Sequence, residues 1–260
     1  MVATMGVTNG AGVPVDPLDR PLVGAGLKMY LSYAETVRYL WSLAAIADEF
    51  DGVRLFVLPS FPALAQARLA LGASRVLYGA QDGHWEERGP YTGEVSPAML
   101  SELGCTFMEV GHAERRRQFS EDDAIVGRKA AAAARNGLIP LVCVGEEQAG
   151  SDAVALVGAQ ARAALTAVAD DAAVVFAYEP VWAIGAASVA DPEHVAEVVD
   201  ALRGVGSERS GSVRILYGGS VSAGAVERLL GAGIDGLFVG RSALRVDDLR
   251  RIVAELVALL

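Results

Sequence analysis

A lysine, a histidine and a glutamate stand where short apolar runs give way to polar sequence. Lys28 closes the run Leu22–Met29, His112 follows Thr106–Val110, and Glu179 follows Val174–Tyr178. Gln81, Glu146 and the turn Gly218-Gly219-Ser220 occupy the same position after other runs. A carboxylate and an imidazole facing one pocket can move protons to and from a substrate, a contribution of about 10²–10⁴-fold. A fixed ammonium nearby favours developing negative charge. A glycine-rich turn lets backbone N–H groups approach an anion closely. Each residue also has a plain structural reading: a strand-end salt bridge for the glutamate, solvent for the lysine, a simple turn for Gly-Gly-Ser. His84 falls in a long loop, and His194, beside Glu193 in a first helical turn, reads as solvated.

The elements that must position these groups can be read from the pattern. Eight apolar runs recur along the chain: Leu22–Met29, Arg54–Leu58, Arg75–Ala80, Thr106–Val110, Ile139–Val144, Val174–Tyr178, Val213–Tyr217 and Gly236–Val239. Such near-continuous runs fit strands buried on both faces, as in a parallel sheet. Helical patterns lie between them. Ser32 and Glu35 form a capping box before Val37, Leu40, Trp41 and Ala44. Ser96-Pro97 and Asp191-Pro192 each place a cap before a first-turn proline. Ser120–Asp123 opens an alanine-rich helix that Asn136-Gly137 ends, and Val246–Leu260 is amphipathic. Eight strand–helix repeats without a linker predict a closed α/β barrel, (β/α)8, as a single domain over residues 21–260, with active groups at the carboxyl ends of its strands. A doubly wound open sheet is the rival, but no glycine-rich fingerprint follows the first strand. Residues 1–20 lack a period and read as a flexible arm.

Composition narrows the function class. The 260 residues are 52% hydrophobic, and 22 Lys plus Arg against 32 Asp plus Glu leave a net charge of −10. An acidic chain argues against a nucleic-acid partner. It does not argue against an anionic substrate, because local cations can outweigh distant net charge. No apolar stretch approaches the roughly 20 residues of a membrane span. Cys105 and Cys143 sit in apolar runs and read as buried thiols in a reducing compartment, so a cytoplasmic enzyme is expected. No metal cluster or nucleotide motif is evident, and a cofactor-free reaction is expected.

Several motifs, in order, carry a resemblance. Tyr178-Glu-Pro-Val-Trp-Ala-Ile-Gly185 resembles the catalytic strand end and lid of the triosephosphate isomerase family, and Val110-Gly-His-Ala-Glu-Arg-Arg116 resembles its histidine loop. Tyr217-Gly-Gly-Ser-Val221 and Asp235-Gly-Leu-Phe-Val-Gly240 resemble its phosphate turns, Gly89-Pro-Tyr-Thr-Gly-Glu94 its dimer loop, and Leu141–Glu146 its fifth strand. The resemblance implies an aldose–ketose isomerase of a phosphorylated sugar, with Glu179 as general base, His112 as a neutral hydrogen-bond donor and Lys28 as the fixed cation. That pairing of glutamate base and neutral histidine is this family's usual worked case. It further implies phosphate contacts at Gly185, Gly219, Ser220, Gly240 and Arg241. A homodimer follows, built on the loop Gln81–Val95, in which Thr92 approaches the other subunit's lysine and Glu94 pairs with Arg115 across the interface.

The chain also departs from the family pattern. Gly26 replaces an asparagine two residues before the lysine, which is expected to delete a polar substrate contact and open space. Ala113 replaces a serine, the lid carries Ala186-Ala187-Ser188, and paired glycines become Gly240-Arg241. The Gly-Arg-Ser-Ala segment resembles isomerases of four-carbon erythrulose phosphates. Arg241 supplies a new cation only if its side chain turns inward. Triose phosphate and tetrose phosphate therefore both remain open as substrates. So does a catalytically inactive sugar-phosphate-binding barrel, although a pure binder has no need of a base.

Overall fold

The computed structural model describes residues 16–150, 152–186 and 189–260. Eight parallel strands close on themselves in chain order: β1 (Leu22–Gly26), β2 (Arg54–Leu58), β3 (Leu77–Ala80), β4 (Phe107–Val110), β5 (Ile139–Val144), β6 (Val174–Tyr178), β7 (Val213–Tyr217) and β8 (Gly236–Val239). The seam joins β1 to β8, with Leu22 opposite Gly236 and Ala25 opposite Val239. This is the expected (β/α)8 barrel. Five strand bounds coincide with the apolar runs. β1 stops short of its run because Lys28 turns into the left-handed region at φ 46°, so the lysine lies in the loop rather than on the strand.

Both faces of each strand are covered, as the runs require. Inside the barrel, Leu22, Phe56, Leu58, Phe107, Leu141 and Phe238 pack in one cluster, while the opposite faces pack against the helices in a larger one. Phe56 stacks on Phe238 with ring centroids 5.8 Å apart and tilts against Phe107 at 4.7 Å. Gly24 makes room for this stack, since a Cβ there would lie 2.0 Å from the Phe56 ring.

Local signals set the helix starts. Ser32 and Glu35 form the reciprocal capping box, and Ser96 and Asp191 cap their helices before prolines. The alanine-rich helix starts at Asp123, the last residue of its expected opening. Asp122 caps Asp123–Arg135 by accepting from Ile125 N at 2.8 Å, and Ser120 instead ends the preceding short helix Ala113–Phe119 at φ 56°. Asp is as good a cap as Ser and sits at the correct spacing from the first bonded N–H.

The expected arm of residues 1–20 falls largely outside the described residues, but among its last five Leu18 is packed. Leu18 is 1% exposed inside the barrel cluster. Arg214, at the amino end of β7, donates to the Leu18 carbonyl at 2.7 Å, and Arg54, which opens β2, donates to Asp19 at 2.8 Å. These residues close the amino-terminal floor of the barrel. The physical reason is that the open end of a barrel exposes apolar interior, and a leucine covers it.

Candidate active site

At the opposite, carboxyl end of the strands lies a cleft of about 1060 Å³ whose lining includes Lys28, His112, Glu179, Ser220, Gly240 and Arg241. Gly26, Gly185 and Gly219 line it as well. The structure thus brings together all nine residues assigned to substrate. Thr92 and Glu94 lie instead at an exposed loop tip.

Glu179 is delivered by the end of β6 and is 4% exposed. Its Oε2 has no hydrogen-bond partner among the described residues and stands 3.5 Å from His112 Nε2. Burial, reinforced by neighbouring Glu109 and opposed by His112, pushes the Glu179 carboxyl up to about 7. Gly218 is required beside it, because a Cβ there would lie 2.7 Å from Glu179 Cγ.

His112 caps the short helix Ala113–Phe119. Its Nδ1 accepts the backbone N–H of Glu114 at 3.1 Å. An accepting Nδ1 carries no proton, so the ring's hydrogen sits on Nε2 and points toward Glu179 and the cleft.

Lys28 is held in its left-handed conformation by its own carbonyl. That carbonyl accepts from Ser60 Oγ at 2.8 Å and from Gln81 Nε2 at 2.9 Å. Its ammonium donates to Glu114 Oε1 at 2.8 Å. Burial draws the Lys28 value down, but Glu114, with Glu179 and Glu109, outweighs it and holds the ammonium above the ordinary lysine value. Gln81 was offered only by its strand-end position, and Glu114 was not expected as a site residue. The strand-end position of one and the His-x-Glu spacing of the other are the signals that mark them.

The anion side of the cleft is built by the β6, β7 and β8 loops. Gly240 opens the short helix Arg241–Leu244 without a side-chain cap, the kind of amino end that receives phosphate. Arg241 stays exposed at the rim of the cleft and donates from Nη2 to the Gly185 carbonyl at 3.1 Å. Ala187 and Ser188 of the lid lie outside the described residues. Behind the lid, the fully buried Glu146 accepts from Trp182 Nε1 at 2.7 Å and meets the Tyr178 hydroxyl at 3.1 Å.

Two expectations need correction. Phe238 takes up part of the space expected at Gly26, since a Cβ there would meet its Cζ at 3.1 Å, while Gly26 still lines the cleft. His194 is not merely solvated: its Nε2 lies 3.2 Å from Glu146 and 3.0 Å from Tyr178 Oη, because that buried carboxylate gathers donors. His84 does belong to the long loop but is buried within its own chain, its ring 4.1 Å from Trp85 and 4.3 Å from Tyr91. Arg115 is engaged within its own chain, at 2.9 Å from Asp82 and 2.7 Å from Glu121. Those acids are buried around Lys129, itself 2% exposed, and one ammonium cannot balance two carboxylates.

A carboxyl missing from the sequence reading also enters the cleft. Glu109 of β4 lines it, and Glu109, His112 and Glu179 each place a donor atom within 4.8 Å of the others. A divalent cation could be held by such a set. Burial pushes the Glu109 acid up to about 8, so with no cation bound the same group can also carry a proton near neutrality.

The comparisons agree with this geometry. The family model described as triosephosphate isomerase matches residues 21–256. The chain belongs to the triosephosphate isomerase family. Among curated relatives, the L-erythrulose-1-phosphate isomerase of Pectobacterium atrosepticum is 44% identical over 85% of this chain and 90% of that protein. The triosephosphate isomerase of Chloroflexus aurantiacus is 41% identical over 90% of this chain and 98% of that protein. Among solved structures, the triosephosphate isomerase of Bartonella henselae superposes with a TM-score of 0.80 at 30% identity, covering 93% of this chain and all of that one.

Proposed function

We propose that the chain isomerises a short phosphorylated sugar by moving a proton between adjacent carbons through an enediolate. The observation that carries this reading is the buried, unpartnered Oε2 of Glu179 facing the Nε2–H of His112. Leaving a buried carboxyl oxygen unpaired costs about 1–3 kcal/mol, which a purely binding pocket has no reason to bear. Glu179 removes the proton from the hydroxyl-bearing carbon and returns it to the former carbonyl carbon. His112 donates its Nε2 proton to the carbonyl oxygen as that oxygen gains charge, then recovers a proton from the neighbouring hydroxyl. Lys28 stabilises the anionic intermediate, and the turns at Gly185, Ser220 and Gly240 hold the phosphate. No other reactant is consumed.

The family implies glyceraldehyde 3-phosphate and dihydroxyacetone phosphate as the substrate pair. A four-carbon ketose phosphate such as an erythrulose phosphate is a second reading, favoured by the loss of the polar side chain at Gly26 and by the polar Glu109 in the same cleft. A cytoplasmic homodimer completes the proposal. It is supported by two buried free cysteines and by the exposed loop tip 89–94. No described helix is long and apolar enough to cross a membrane.

Assaying glyceraldehyde 3-phosphate and the erythrulose phosphates side by side tests the reading. Turnover of at least one is expected, and Glu179→Gln should lower kcat at least about 10³-fold while still binding a phosphorylated ligand. Phosphate binding without turnover of any of them would defeat the isomerase assignment.

A further inference from the structure

Glu109 is an expensive residue that the proton transfer above does not use. It sits in a barrel interior otherwise filled by Phe107, Leu141, Val175 and their neighbours. Its parity is fixed: two residues after the inward-facing Phe107 on β4, it too faces inward. An aliphatic residue would pack there at no electrostatic cost. Asp82, another buried acid of the cleft, is met by Lys129 and Arg115. Glu109 has one hydrogen bond among the described residues, from the Cys143 thiol at 3.5 Å. A carboxyl that is 6% exposed, lines a substrate cleft and lacks an adequate partner points to a partner that arrives with the ligand.

Its place in the barrel says which part of the ligand that is. The phosphate turns come from the β6–β8 loops, and β4 stands across the closed barrel from β8. The reacting carbons must lie between Glu179 and His112. Glu109 is deeper than His112 by three positions of the same chain segment and within 4.8 Å of both reacting groups. A sugar chain anchored by phosphate on the β8 side therefore directs its other end at Glu109. In dihydroxyacetone phosphate that end is the carbon taking part in the reaction. In an erythrulose 1-phosphate one further hydroxymethyl group follows.

We propose that Glu109 is a specificity-determining residue that hydrogen-bonds the hydroxyl on the carbon beyond the reacting pair, and so selects a ketose phosphate one carbon longer than a triose phosphate. This rests on the four-carbon reading of the same site. Burial pushes the carboxyl up to about 8, so near neutrality it can donate to that hydroxyl as well as accept from it. The missing side chain at Gly26 adds little room, since the Phe238 ring crowds that position at 3.1 Å; in this proposal the polar contact comes from β4 instead of β1.

The test is kcat/KM for an erythrulose phosphate and for dihydroxyacetone phosphate in the unaltered chain, Glu109→Leu and Glu109→Gln. The ratio of four-carbon to three-carbon kcat/KM should fall at least about tenfold in Glu109→Leu, the loss expected for one buried hydrogen bond. Glu109→Gln, which keeps a donor and an acceptor, should recover most of the ratio. Leucine suits the apolar interior, so a folded variant is expected, checked by circular dichroism. A ratio that stays constant while both rates fall would overturn the specificity role and leave a structural one. So would an unaltered ratio, or a chain that turns over only the triose phosphate. An unaltered chain inactive on every sugar phosphate would instead overturn the isomerase reading, and this assignment with it.

Discussion

The carboxyl of Glu179 has to be ionised to take a proton and basic enough to hold it, and its surroundings set that compromise. Burial pushes it up to about 7. The sign of the consequence is direct: as pH falls through that value the base is protonated and lost. The kcat/KM profile should therefore fall about tenfold per pH unit below about 7. The substrate phosphate's own second ionisation, near pH 6, should add a further bend only at lower pH. An acid limb set by the phosphate alone would show that burial does not tune the base. Glu179, His112 and Lys28 were legible from the sequence because each follows an apolar run within a longer motif. Glu109 was not, because a strand buried on both faces reads as one apolar run and hides which residues face in. The available signal was parity: an ionisable residue two steps from Phe107 must share its face, and only the mouth of the barrel can tolerate it.

Elements rather than single residues decide how tightly the base is held. The β6 end presents Glu179, and the turn after β7 closes on its side chain, with Gly218 N donating to the Tyr178 carbonyl at 2.8 Å. Gly218→Ala places a methyl group 2.7 Å from Glu179 Cγ, so the carboxyl must shift. A loss of kcat of about 10²-fold is expected, with the melting temperature and phosphate affinity changing far less. Equal losses in phosphate affinity and kcat would locate the damage in the anion turn instead. The strand ends and helix caps that build this arrangement were legible, since Ser32, Ser96 and Asp191 announce their helices by type and spacing. The left-handed turn at Lys28 was not, because no glycine marks it; contacts from Gln81 and Ser60, distant in sequence, hold it there.

At the scale of the whole molecule, the loop after β3 leaves an exposed surface beside the site. The loop after β3 is internally braced, with Arg128 4.1 Å over the Trp85 ring and His84 packed between Trp85 and Tyr91. Its tip, from Gly89 to Glu94, stays exposed, and so do Met29 (92%) and Tyr30 (55%) beside the site lysine. In the homodimer proposed here, those two surfaces cover one another. Replacing residues 89–94 with a two-residue turn should convert the dimer to monomer in sedimentation analysis and cut kcat/KM at least about tenfold, since the Lys28 loop loses its neighbour. A shortened chain that remains dimeric would place the interface elsewhere. The internal brace of the loop could not be read from the sequence, because Arg128 and Trp85 meet only once the barrel has closed.

The six described residues ahead of β1 have a practical consequence. Leu18 anchors the chain at the floor of the barrel, tied there by Arg54 and Arg214, at the end opposite the cleft. Whatever is joined ahead of Asp16 starts out from the far side of the molecule. Attaching the protein to a bead or sensor chip through a link placed directly ahead of Asp16 presents its working face to the solution.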